Sequence, residues 1–225
     1  MIFDFTSLLI LLPALALAAY AQWRVRSTYA RYATVSVMRN TTAEDVARRI
    51  LSAEYVQGVS FEPVDRALGD HYDPRKKVLR LSAPGSNSVA AIGVAAHEAG
   101  HALQHAKNFA PLALRSTLVP VANLGSQLAF PLFFVGLLTQ VPTLMTAGIV
   151  LFSAAVLFTL VTLPVEFDAS RRAVLALEQS GVMTTEELGG VREVLSAAAL
   201  TYVAAAAMAA LQLVRLLLLA NSRRR

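Results

Sequence analysis

At 225 residues, 56% of them hydrophobic, and with a mean hydropathy of +0.53, the chain is more apolar than an ordinary soluble domain. Its net charge of +5 does not mark a nucleic-acid-binding protein, because the basic residues are mixed with acids and no recognisable module accompanies them. The absence of cysteine excludes disulfides, thiol nucleophiles and cysteine-bound zinc, so any metal must be held by histidine or carboxylate.

Residues 1–23 contain an uncharged, aliphatic run from Phe5 to Tyr20, extended to Trp23 at an interface-like position. Its length suits one bilayer crossing. It starts with Asp4 and ends in Trp23-Arg24-Val25-Arg26, unlike a cleaved secretory signal, and is expected to remain as a transmembrane anchor. Residues 24–115 then take on the composition of a small α+β region. Thr41-Thr42-Ala43-Glu44 reads as a capping box that starts a helix through Ile50. Val59 to Val64 and Lys77 to Leu81 read as strands, and Gly69 to Pro74 between them as turn chemistry. After the N-cap candidates of residues 82–88, a helix is expected from Val89 to Lys107, ended by Asn108 and Pro111.

Within residues 116–165, the hydrophobic runs Leu118–Leu138 and Thr143–Leu163 form a transmembrane hairpin around the short turn Thr139-Gln140-Val141-Pro142. Residues 166–195 are polar and return to the side of the α+β region. Residues 196–225 supply a fourth apolar segment, Ala197 to Ala220, and the basic tail Arg223-Arg224-Arg225. Of the 20 Lys+Arg, 13 lie between Arg24 and Arg115 and 3 more between residues 166 and 195. The 16 outnumber the four at the C-terminal end, so the region between the first two segments is expected to face the cytoplasm.

His97-Glu98-Ala99-Gly100-His101 is an HExxH sequence on a predicted helix. Residues i and i+4 project from nearly one face, so both imidazoles can take corners of a tetrahedral zinc site. Glu98 lies about 100° around the helix, close enough to act on a water without ligating. A third protein ligand is needed for a catalytic site. His105 would stand about 12 Å along the axis from His97, too far for the same ion, and is read as a supporting or packing residue. Glu166 and Asp168 follow directly on the third apolar segment, and a two-segment hairpin returns the chain to the side it left. Glu166 is therefore the expected third ligand.

The stretches DHYDPRKKVLRLS, VAAHEAGHALQHA and PVEFDASRRA resemble the YugP-type family of membrane zinc metallopeptidases, and nearly the whole chain takes part. More distantly, it is similar to the HtpX and CAAX prenyl-protease group, in which the glutamate of an E-x-x-x-D motif is the third ligand. That resemblance places the ligand on Glu166. This chain departs from the pattern with Ser170 four residues later and Asp168 two residues later, so Asp168 is expected to orient a histidine, with direct ligation the alternative.

The expected fold is a mainly α membrane protein of about four transmembrane helices, with a small cytoplasmic zincin-like α+β region that carries the HExxH helix. The expected activity is that of a zinc metalloendopeptidase with one Zn2+, bound by His97, His101 and Glu166, and with Glu98 as general base. It would act in the cell membrane on peptide or protein substrates. His71, Tyr72, Arg171 and Arg172 are candidates to stabilise the oxyanion. The strand Lys77–Leu81 is a candidate to pair with an extended substrate. The alternatives are a zinc-stabilised scaffold or chaperone without catalysis, and an intramembrane protease of the site-2 type. Oligomeric state is not legible.

Overall fold

The computed structural model describes residues 9–66 and 68–222. It is mainly helical, in the order α1 (Leu12–Ala33), α2 (Ala43–Ala53), β1 (Ser60–Pro63), β2 (His71–Asp73), β3 (Val78–Leu81), α3 (Val89–Ala106), α4 (Ala110–Thr139), α5 (Pro142–Ser180) and α6 (Thr185–Ser222). The chain divides into two compact units. One comprises residues 1–21, 113–163 and 201–225, and the other residues 22–112 and 164–200.

In the first unit the apolar stretches of α4 and α5 are uncharged over lengths that exceed a bilayer core of about 30 Å, and that of α6 is interrupted by Arg215. Among the described residues these three helices are long and apolar enough to cross a membrane. The expected fourth span at the N-terminus lies partly outside the described residues, and the arginine tail lies wholly outside them. Phe133, Met145, Phe152 and Leu216 bury themselves together within this unit. Close backbone approach between α4 and α5 depends on small residues. A Cβ on Gly148 would stand 2.6 Å from the Ala129 carbonyl oxygen.

The second unit is built on α3. That helix is apolar nearly all round, which is the pattern of a helix enclosed by its neighbours. Ile92, Ala95, Ala96 and Ala99 are wholly buried. Val46, Ile50 and Leu51 of α2, Leu79 and Leu81 of β3, Ala173 and Leu177 of α5, and Leu188 and Val191 of α6 close the core around it. Its N-terminus is capped by Ser88, whose hydroxyl accepts from the Ala91 N–H. Truncating the fully buried Leu79 to Ala would cost about 2–5 kcal/mol.

Several elements differ from the sequence expectation. The capping box of α2 is shifted by one residue. Thr42 is the N-cap and accepts from the Asp45 N–H, while the Asp45 carboxylate accepts from the Thr42 N–H. Both Thr-x-x-acid pairs satisfy the rule locally, and the shifted one puts Val46, Ala47 and Ile50 on the buried face. The 69–74 turn contains a strand, β2, which pairs antiparallel with β3 through Tyr72↔Leu79. The sheet order is β1-β3-β2, with β1 parallel to β3. β3 is thus the central, buried strand and has no free edge to offer a substrate. That expectation for Lys77–Leu81 is corrected, because both of its sides are already paired. Finally, α5 continues through Pro164 to Ser180, so Glu166 sits on a helix and not in a loop.

Candidate metal centre

His97 and His101 occupy successive turns of α3, with ring centroids 4.7 Å apart at 82°. The α5 segment after Pro164 packs against this face because residue 100 is glycine. A Cβ there would lie 2.5 Å from the Ala169 carbonyl oxygen, so any side chain would force the helices apart. The close approach brings Glu166, only 2% exposed, beside both rings. Its Oε2 lies 3.2 Å from His97 Nε2 and 3.6 Å from His101 Nε2. All three donor atoms fall within 4.8 Å of one another.

This donor set fits zinc. Two nitrogens and one carboxylate oxygen match its preference, and tetrahedral bonds of about 2.0–2.2 Å place ligand atoms roughly 3.3–3.6 Å apart. The electrostatics agree. Burial alone would push the His101 imidazole down, but its hydrogen bond to Glu166 and the nearby Glu98 carboxylate outweigh this and hold it above its ordinary value. An enclosed site that favours a proton on an imidazole also favours a metal cation.

The outer nitrogens are held as well. His97 Nδ1 lies 3.1 Å from Ser170 Oγ, one turn beyond Glu166 on α5. His101 Nδ1 lies 3.0 Å from Gln104 Oε1. Gln104 is completely buried, and its amide nitrogen donates to the Val165 carbonyl at 2.7 Å and to Asp168 Oδ2 at 3.0 Å. With both donor positions committed, the amide oxygen must accept from His101 Nδ1–H. In the neutral ring His101 Nε2 is then left with its lone pair facing the cluster. Asp168 is gripped in turn by Arg171 at 2.6 Å and Arg172 at 2.5 Å.

Asp168 therefore reaches His101 through Gln104 and stands outside the three-donor group. Arg171 and Arg172 are both bonded to Asp168. His71 accepts from Arg80 at Nε2 and donates from Nδ1 to the Gly69 carbonyl, so neither nitrogen is free. His105 is paired with the Tyr72 hydroxyl at 3.0 Å. Glu98, 7% exposed, accepts from the Tyr72 N–H at 2.8 Å. That N–H lies outside the β2–β3 ladder, so it marks the free edge of β2 as the strand beside Glu98.

Two residues of this arrangement escaped the sequence reading. Gln104 stands three residues after His101, and helical periodicity alone puts it on the same side. Ser170 stands four residues after Glu166, where the resembling group carries aspartate. Both positions were visible as spacing. Neither residue type announces a role by itself.

The family model for putative neutral zinc metallopeptidases matches residues 7–221 of the chain. The putative membrane protease YugP of Bacillus subtilis (strain 168) is 45% identical over 210 residues, covering 92% of this chain and 93% of that protein. No solved structure matches the chain.

Proposed function

Since the chain belongs to the putative neutral zinc metallopeptidase family, we propose that it is a membrane-embedded zinc metalloendopeptidase in which His97, His101 and Glu166 hold one ion and Glu98 is the general base. The observation that carries this reading is the convergence of three donor atoms, from helices far apart in sequence, at separations suited to one tetrahedral cation. Bound zinc would supply a Lewis acid that polarises the scissile carbonyl and makes a water acidic near neutral pH.

The chain's own groups do the rest. Glu98 takes the proton of the attacking water and delivers it to the leaving amine. The Tyr72 N–H keeps that carboxylate aimed by donating to Oε2. Ser170 and Gln104 hold the two imidazoles by their Nδ1 positions, which leaves Nε2 of each for the ion. An extended peptide lies beside the outer edge of β2, where the Tyr72 N–H is already held by Glu98 and the backbone carbonyl of Tyr72 is left to pair. The geometry singles out none of the candidates for the oxyanion: the Tyr72 hydroxyl is bonded to His105, His71 is bonded at both nitrogens, and Arg171 and Arg172 are bonded to Asp168. Burial pushes the Tyr72 phenol up, so it remains a proton donor at neutral pH.

The 16 basic residues of segments 24–115 and 166–195 support a cytoplasmic catalytic region in a multi-pass plasma-membrane protein. The decisive test is metal analysis and peptide cleavage of purified wild type beside Glu98→Gln. We expect equal zinc content with cleavage reduced by a factor of about 100 to 10,000 in the variant. Equal cleavage by the two proteins would refute the general base. Absence of zinc from wild type purified under metal-replete conditions would refute the centre.

A further inference from the structure

A cavity of about 420 Å³ opens along the C-terminal end of α3, where Ala102, His105 and Ala106 line it. Its wall includes Val56, Val59, Tyr72, Lys77, Ala102 and His105. Glu98, Ala102 and His105 recur at helical spacing, so the cavity continues the Glu98 stripe by about one turn, or roughly 6 Å. Tyr72 joins the two places directly. Its backbone N–H holds Glu98, and its ring and hydroxyl wall the cavity and bond His105.

The charges around this space are unequal. Lys107 also borders it, but its ammonium is tied to Glu54 at 2.6 Å. The Lys77 ammonium has no ion pair among the described residues, and the residue is exposed at the start of β3. Glu54 also lines the space and offsets Lys107, which leaves Lys77 as the unbalanced charge. The rest of the wall is apolar or aromatic at Val56, Val59, Tyr72 and Ala102 and polar at Gln57 and His105. Such a space suits a side chain with an apolar stem and a negative tip.

We infer that this cavity is a substrate pocket that receives an acidic side chain, glutamate foremost, of a peptide lying along β2, with Lys77 as the residue that sets the charge preference. The inference rests on the peptidase reading, yet binding can be measured without turnover. The full-length Glu98→Gln protein in detergent is titrated with fluorescein-labelled ten-residue peptides that differ only in a Glu, Gln or Lys, placed in turn at each of the central positions. At one position the Glu peptide should bind about three- to fivefold more tightly than the Gln peptide. That preference should vanish in Lys77→Ala, reverse towards the Lys peptide in Lys77→Glu, and weaken with added salt.

In parallel, wild type and the Lys77 variants are assayed for cleavage of the same peptides. Cleavage without charge preference at any position, or with one that ignores Lys77, overturns the pocket and leaves the peptidase standing. A Lys77-dependent preference in binding with no cleavage by wild type upholds the pocket and removes the peptidase. Failure of every peptide to bind, in a protein whose circular dichroism matches wild type, also overturns the pocket.

Discussion

His97 and His101 sit one turn apart on the same helix and face the same carboxylate, yet their outer nitrogens are held in very different ways. His97 rests on one hydroxyl, that of Ser170. His101 rests on a buried amide whose other contacts run through Asp168 to two arginines. A hydroxyl can rotate and can donate or accept, whereas the Gln104 amide is locked by its two acceptors and permits a single tautomer at His101. The two halves of the histidine pair therefore differ in rigidity. In the proposed centre His101 would be the fixed ligand and His97 the adjustable one.

Six substitutions at five positions break or sharpen this contrast. The largest effect belongs to Glu166→Ala, which removes the carboxylate common to both rings. Zinc affinity should fall more than about a hundredfold, as read by competition with a chelating dye, and Asp168→Ala should fall less. A larger loss in Asp168→Ala would make Asp168 the ligand. Next comes Gln104→Ala, for which we expect a loss of roughly 10- to 100-fold in zinc affinity. Thermal unfolding should show a further cost of about 1–3 kcal/mol, because buried partners lose their hydrogen bonds.

Ser170→Ala should cost about tenfold or less, at the weak end of such effects, and Ser170→Asp should bind zinc more tightly than wild type. Equal losses in Ser170→Ala and Gln104→Ala would abolish the distinction between a fixed and an adjustable ligand. The smallest effect is that of Asp45→Asn, far from the centre in α2. The hydrogen bonds from Thr42 hold the Asp45 carboxyl below its ordinary value. Its contribution as an exposed charge in the first turn, of about 0.3–1 kcal/mol at low salt, should be present above the usual carboxylate range and lost as pH falls through the lowered folded value. Wild type minus variant stability should thus shrink on acidification, while zinc affinity at neutral pH stays unchanged. A change in affinity here would mean that losses in the Gln104 variant are not local either.

Much of the candidate centre was legible in advance, for a physical reason particular to each residue. His97, Glu98 and His101 declare themselves because four residues make one helical turn, and one turn is the separation a single ion requires. Glu166 was legible as an acid that follows two apolar segments, since a hairpin returns the chain to where it began. Its setting was not: the polar residues after Leu163 looked like a loop, but they continue α5 because the buried Val165, Ala169, Ala173 and Leu177 recur at helical intervals. The edge strand was missed too. Three residues flanked by Asp70 and Pro74 carry turn chemistry, and only pairing with β3 makes them a strand.

The amino-acid sequence determined the apolar helices, the ligand spacing on α3 and the absence of any thiol chemistry, because each follows from local periodicity or composition. Tertiary structure alone decided that Gly100 lets α5 come close, that Gln104 and Ser170 orient the imidazoles, and that β2 rather than β3 borders Glu98. Those outcomes depend on distances between segments far apart in the chain, and no local pattern of side chains encodes a distance of that kind.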